Sequence, residues 1–304
     1  MRIVFMGSPD FAIPSLEKLH QSDHEIISVV SNIDKRRGRR AKPSPTPLKA
    51  KALELGLPVI GVEDLGADDF YEELKALEAD LFVVVAFRIL PPRLLELPSK
   101  GSVNLHASLL PKYRGAAPIH WAVIEGEKQT GCSIFFLDEK VDTGNIIKQQ
   151  TTPIGRNETT GEVYNRLKKM GSDLLVEAVE EIDQDSYTTT PQNHEEATPA
   201  PKLFKEDCKI DFDHPAEQIH NKIRGLSPFP TAWATLDGQK FNIYRSQLGP
   251  DKSVEVGKLV MEGEHLLVGC KRGTVILKKV QLQGKKRMSG KDFMNGYHGQ
   301  GKLE

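Results

Sequence analysis

Over the first hundred residues, short apolar runs alternate with stretches of helical spacing. Residues 3–6 and 26–30 are apolar runs, and 14–20 between them has a helical composition. Residues 48–55 predict a second helix, ended by Gly56 ahead of a short strand at 58–60. Phe70, Leu74 and Leu77 fall on one face of a helix over 70–77. Residues 81–87 carry no polar side chain, the pattern of a central strand covered on both faces. Strands separated by helices in this way predict an α/β unit with a parallel sheet core.

Beyond Val103 the pattern changes. Residues 133–137 and 146–150 predict strands on either side of the turn Asp142-Thr143-Gly144-Asn145. One long amphipathic helix is expected over 160–181, with Thr159 or Thr160 as its cap. Residues 183–206 are polar and Pro-rich with no apolar period, which predicts an extended connector wrapped over the surface. A helix over 215–224 follows. Short strand-like runs at 241–245, 254–261, 266–270 and 274–280, separated by Gly and Asp turns, then read as a small barrel. The expected division is a first domain over 1–190, a connector over 191–206 and a barrel domain over 207–304.

Composition narrows the class. The 304 residues are 38% hydrophobic and 27% charged, which fits a soluble chain of two domains. The opening strand-like run is too short for a signal peptide, and no apolar run approaches the ~18 residues of a membrane span. A soluble, cytoplasmic protein is expected. Cys132, Cys208 and Cys270 stand far apart with no CxxC pair, so they read as reduced, partly buried thiols, and no metal is expected. Charge is unevenly spread: residues 207–304 hold 16 Lys and Arg against 11 Asp and Glu, on an otherwise acidic chain. Residues 35–42 place six cations in eight positions, which suits a polyanion.

The candidate chemistry lies at Asn104 and His106. Two positions apart on a strand, they project to the same face while Leu105 points to the core. An amide donor and an imidazole at the carboxyl end of a sheet strand lie where open α/β folds bind ligands. The loop that follows is Pro-flanked and rich in small residues, so a bound molecule can approach its backbone.

This stretch, NLHASLLPKYRGAAPIHWA, resembles the signature of the folate-dependent formyltransferases. The likeness extends to Thr130-Gly131-Cys132-Ser133, to Val141-Asp142-Thr143-Gly144, to the opening Gly7-Ser8-Pro9-Asp10-Phe11 and to Ile223-Arg224-Gly225-Leu226-Ser227-Pro228. It departs near Ala86-Phe87-Arg88, where the commoner form has Tyr-Gly and one more residue.

The resemblance implies a Rossmann-like domain with a parallel sheet core and a carboxyl-terminal OB-like β-barrel. It implies transfer of the formyl group of 10-formyltetrahydrofolate to the amine of methionine-charged initiator tRNA. Asn104, His106 and Asp142 are the implied catalytic residues. Ser108, Leu109, Leu110 and Pro111 are the implied folate-binding loop. Arg37, Arg39, Arg40 and Lys42 are the implied tRNA contacts, with the barrel domain as a second tRNA-binding element, and the chain is expected to act as a monomer. The nearest alternative is a formyltransferase for a small amine, such as glycinamide ribonucleotide or an amino sugar nucleotide. Two further readings are a non-catalytic RNA-binding protein and a hydrolase that releases formate.

Overall fold

The apolar runs of the first hundred residues become the strands of one sheet. In chain order the elements are β1 (Arg2–Gly7), α1 (Ile13–His20), β2 (Glu25–Asn32), β3 (Lys35–Arg36), β4 (Pro43–Ser44), α2 (Pro47–Glu54), β5 (Val59–Val62), α3 (Asp68–Lys75), β6 (Leu81–Val85), α4 (Pro92–Leu95), β7 (Ser102–His106), α5 (Pro118–Ile124), β8 (Gln129–Phe136), β9 (Ile146–Pro153) and α6 (Thr160–Asp183). The computed structural model describes residues 1–36 and 42–304. Its chain divides into two units. The first comprises Met1–Gly115, Gly131–Thr152 and Asn165–Pro199, and the second Ala116–Thr130, Pro153–Tyr164 and Ala200–Glu304.

In the first unit the sheet order is β5-β2-β1-β6-β7-β8-β9. The pairs β1–β2, β1–β6, β2–β5 and β6–β7 are parallel, and β7–β8 is antiparallel. Every residue of β6 is buried, as its unbroken apolar pattern requires. The strand ends at Val85 rather than at Phe87, because Ala86 turns into the left-handed region at φ 50°. Phe70 and Leu74 of α3 pack with Val4, Met6, Phe82 and Val84 of the sheet. Burying a side chain of this size contributes about 1.5–3 kcal/mol. Asp68 and Asp69 occupy the first turn of α3, where its dipole favours negative charge.

The second unit adds α7 (Ala216–Gly225), β10 (Ala232–Leu236), β11 (Gln239–Leu248), β12 (Leu259–Glu262), β13 (His265–Gly269), β14 (Thr274–Leu282), β15 (Met288–Ser289) and α8 (Gly290–Asn295). Its antiparallel sheet runs β10-β11-β14-β13-β12, with β15 on β14. Residues 301–304 bond to both edges of this sheet: Glu304 exchanges backbone bonds with Thr235, and Leu259 donates to Gly301 at 2.7 Å. Those bonds close the sheet on itself and leave neither edge bare. The run read as a strand over 254–261 is regular strand only from Leu259, because Gly257 takes φ 77°; before it, Val256 makes an isolated bridge to Gly269. Thr159 caps α6 with Glu162 in a reciprocal pair, the Thr159 amide donating to Glu162 Oε2 at 2.8 Å. Among the described residues, no helix is long and apolar enough to cross a membrane.

Candidate active site

Strand order fixes where the first unit can hold a ligand. From β1 the chain builds outward through β2 and β5, then returns to the other side of β1 for β6 and β7. The crevice outside the carboxyl ends of β1 and β6 is therefore the switch point of the sheet. Gly7 closes β1 there. A Cβ at that position would lie 2.7 Å from the Val85 carbonyl oxygen and 2.9 Å from Leu48, so only glycine fits. A cavity of about 540 Å³ opens at these strand ends, lined among others by Ser8, Asn32, Thr46, Val62, Glu63 and Arg88. Arg88 holds one wall by donating to the Glu63 carbonyl at 2.7 Å and the Val62 carbonyl at 3.0 Å.

Asn104 and His106 stand near the carboxyl end of the next strand, β7. Asn104 is half-buried, and its side-chain amide bonds no described residue. His106 is buried at 6% exposure, and its Nε2 lies 2.9 Å from the Tyr113 carbonyl. A carbonyl only accepts, so that nitrogen carries the hydrogen. Phe135 packs edge-on against the ring with centroids 6.5 Å apart. Nδ1 faces Asp142 Oδ2 at 3.8 Å, too far for a hydrogen bond and close enough for charge attraction.

Asp142 itself is 8% exposed and sits at φ 54°. Aspartate is one of the few side chains that visits this region, at a cost of about 1–2 kcal/mol. Its Oδ2 accepts from the Gly115 amide at 2.8 Å. The Asp-Thr-Gly motif has a local reason at each end. Thr143 bonds Asp138 Oδ1 at 2.7 Å, and a Cβ on Gly144 would overlap the Phe136 carbonyl. Tyr113, whose carbonyl orients His106, is also left-handed at φ 62°. The structure thus brings His106 and Asp142 into one place, with Asn104 on the same strand face as His106.

The loop after His106 is braced from below. Ser133 Oγ donates to the Ser108 carbonyl at 2.7 Å and accepts from the Leu110 amide at 3.0 Å and from Gln149 at 2.8 Å. Ser108 is wholly buried and spends its own hydroxyl on the Lys112 carbonyl. Leu110 is buried against Phe135 and Ile146. Leu109 and Pro111 stay half-exposed. Cys132, beside this brace, is wholly buried, and burial pushes its thiol up to about 12, which removes it as a nucleophile. Of the basic loop, Arg37, Arg39 and Arg40 lie outside the described residues. Lys42 is exposed and immediately precedes β4, which pairs with β3.

Sequence reasoning passed over Arg114, Gln192 and Thr198. Arg114 bonds Gln192 Oε1 through Nε and Nη2, at 3.2 and 2.6 Å. Gln192 is 7% exposed and donates to the carbonyls of Asp142 and Gly144. Thr198 Oγ1 accepts from the Tyr113 amide at 2.9 Å. Arg114 stands within the stretch that carries the family resemblance, whereas the only signal of Gln192 and Thr198 is polarity, which their surroundings share throughout.

Known proteins share this chain's sequence and fold. Residues 1–179 match the formyl transferase family, and residues 202–298 match the formyl transferase C-terminal domain. A methionyl-tRNA formyltransferase of Porphyromonas gingivalis is 40% identical over 98% of this chain and 96% of its own. One from Moorella thermoacetica is 43% identical over 98% of this chain and 96% of its own. Among solved structures, WlaRD, a sugar 3N-formyl transferase crystallised with dTDP and 5-N-formyl-THF, shares the fold. Its TM-score is 0.69 at 20% identity, covering 94% of this chain and 99% of that one. HypX from Aquifex aeolicus, in complex with tetrahydrofolic acid, has a TM-score of 0.67 at 16% identity, covering 97% of this chain and 47% of that one. With two matching domain models and relatives near 40% identity along almost its whole length, the chain belongs to the methionyl-tRNA formyltransferase family.

Proposed function

We propose that this protein transfers the formyl group of 10-formyltetrahydrofolate to the free amine of methionine esterified to initiator tRNA. The observation that carries the reading is the buried His106–Asp142 pair at the end of β7, with the uncommitted amide of Asn104 on the same strand. The folate co-substrate supplies an activated one-carbon group. This chain's residues supply position and charge.

Asn104 Nδ2 donates to the formyl oxygen as negative charge builds there, and a preorganised donor of this kind contributes about 3–4 kcal/mol of barrier. His106 has already given its Nε2 hydrogen to Tyr113, so Nδ1 serves as a second donor only when the ring is the doubly protonated imidazolium. The Asp142 carboxylate, 3.8 Å away, stabilises positive charge at that nitrogen during transfer. The attacking amine must be neutral, and its ordinary pKa of about 7.7–8.0 leaves enough of it so near neutrality. Asp142 keeps Oδ2 on Gly115, so Oδ1 is the oxygen that takes the proton the amine releases and passes it, through a water, to N10 of the folate as the formyl C–N10 bond breaks and tetrahydrofolate leaves. The backbone of residues 108–111, with Leu109 and Pro111, forms the wall offered to the folate, while Ser108 and Leu110 support it from inside.

The six cations at 35–42 and the basic strands of the second unit supply contacts to tRNA phosphates. The test is a transfer assay with labelled 10-formyltetrahydrofolate and methionyl-tRNA at rising salt. The expected result is labelled formyl on esterified methionine, with a KM for tRNA that climbs steeply with salt. Formylation of a small amine that ignores both salt and tRNA would replace this reading with the small-amine alternative.

A further inference from the structure

We propose that Gln192 is a positioning residue for the reaction: its one amide ties the turn carrying Asp142 to the loop that orients His106. The inference rests on the roles given to His106 and Asp142 above. Residues 183–206 read in sequence as a connector without chemistry, yet 190–199 runs as a strap across both catalytic loops. Thr190 and Ile146 exchange backbone bonds at 2.9 and 2.8 Å. Gln192 Nε2 then donates to Asp142 O at 3.0 Å and to Gly144 O at 2.8 Å. Its Oε1 accepts the fork of Arg114, and Arg114 Nη2 also meets His194 Nδ1 at 3.0 Å. Further along, Thr198 accepts from Tyr113 N with its hydroxyl and from Arg114 N with its carbonyl.

The amide orientation is fixed by its partners: two carbonyls can only accept, and a guanidinium can only donate. Gln192 is therefore fully used on all sides while buried, and no other uncharged side chain of that length donates and accepts at once. What it holds matters. Asp142 and Tyr113 both lie in the left-handed region, so each stays there only while its surroundings insist. Gln192 binds the carbonyls of Asp142 and Gly144 with its Nε2 and the guanidinium of Arg114, the neighbour of Tyr113, with its Oε1. Losing it frees the Asp142 turn to relax away from His106, and a displacement of about 1 Å can cost about 100-fold in rate.

The experiment measures kcat, the KM for each substrate and the thermal midpoint of full-length Gln192→Met, Gln192→Glu and Asp142→Ala, and of Gln192→Met combined with Asp142→Ala. Gln192→Met is expected to lose at least ~10-fold in kcat, with each KM within ~3-fold. Gln192→Glu keeps the acceptor for Arg114 but has no donor for the turn, so it should fail as badly. In the Asp142→Ala background, Gln192→Met should cost less than ~3-fold more. Should Gln192→Met not fold, Gln192→Asn keeps the amide at shorter reach and carries the same expectation. Unchanged kcat, recovery in Gln192→Glu, or losses that simply multiply with Asp142→Ala would each overturn the proposal. Near-normal turnover of Asp142→Ala would instead sink the reading of the site itself.

Discussion

His106 gives its Nε2 hydrogen to the backbone carbonyl of Tyr113, and that leaves its other nitrogen facing Asp142. The partner is a main-chain oxygen, so the ring is oriented by the path of the loop rather than by any one side chain. His106→Gln separates the two functions of the ring. A glutamine amide reaches far enough to keep the bond to Tyr113, but it offers nothing in place of Nδ1. Turnover is expected to fall by roughly 100-fold, with the thermal midpoint within a few degrees of wild type. A variant that kept its kcat would show that Nδ1 takes no part.

Asp142 combines an electrostatic task with a backbone one, and two substitutions pull them apart. Asparagine tolerates the left-handed region and can still accept from Gly115, so Asp142→Asn removes the charge and little else. It should fold normally and lose two to three decades, roughly, of kcat. Gly144→Ala does the opposite. The carboxylate remains, but the new methyl collides with the Phe136 carbonyl and the turn must move. That variant should lose both turnover and stability, the latter by about 1–3 kcal/mol. Full activity in Gly144→Ala, measured beside its denaturation curve, would contradict the geometry assigned to the turn.

What the sequence disclosed follows from how each feature is encoded. The buried strand β6 is an unbroken apolar run, and Asn104 and His106 stand two apart on a strand, so a reading of hydropathy and of strand alternation finds them. Asp142 is encoded as a turn motif whose glycine has a steric cause, and a motif can be read without knowing that cause. The carbonyl of Tyr113 has no signature, because every residue carries a carbonyl. Gln192 was invisible for another reason. It lies 50 residues beyond Asp142, in a stretch with neither apolar period nor charge run, and its significance comes wholly from two carbonyls that only the fold brings to it. Ser108 shows the converse. Its position in the loop suggested a ligand contact, and the structure spends its hydroxyl internally on Lys112.

The three thiols should be silent in the native protein. Cys132, Cys208 and Cys270 are all buried, and burial pushes Cys132 and Cys270 up to about 12. At pH 8 almost none of either exists as thiolate, the form that reacts. Alkylation followed by mass spectrometry should find these two unmodified over hours in buffer and modified within minutes in denaturant. Rapid native labelling of Cys132 would mean that the brace under the loop opens far more often than its packing allows.

The second unit carries a histidine that makes its stability depend on pH in a stated direction. His220 is 1% exposed, donates through Nε2 to the Arg156 carbonyl at 3.0 Å and meets Ser246 Oγ at Nδ1, 2.8 Å away. Burial lowers its pKa from the ordinary 6.5, and the charges of Arg224 and Arg156 add to the effect, against the opposing Arg156 carbonyl and Glu217. His120 moves the same way, again through burial. Between the folded and unfolded pKa values the unfolded chain holds the extra proton, so stability rises with pH there. It is fully present above 6.5 and is lost as pH falls from 6.5 toward the lowered folded value. Glu162, whose pKa is lowered from 4.5, acts only further down, so it does not blur this window. Glutamine at position 220 can donate and accept along nearly the same directions without titrating. The expected outcome is that the thermal midpoint of wild type drops between about pH 7.5 and 5.5, and that His220→Gln drops distinctly less. A difference between the two proteins that stayed constant across that range would show that His220 takes up no proton on unfolding.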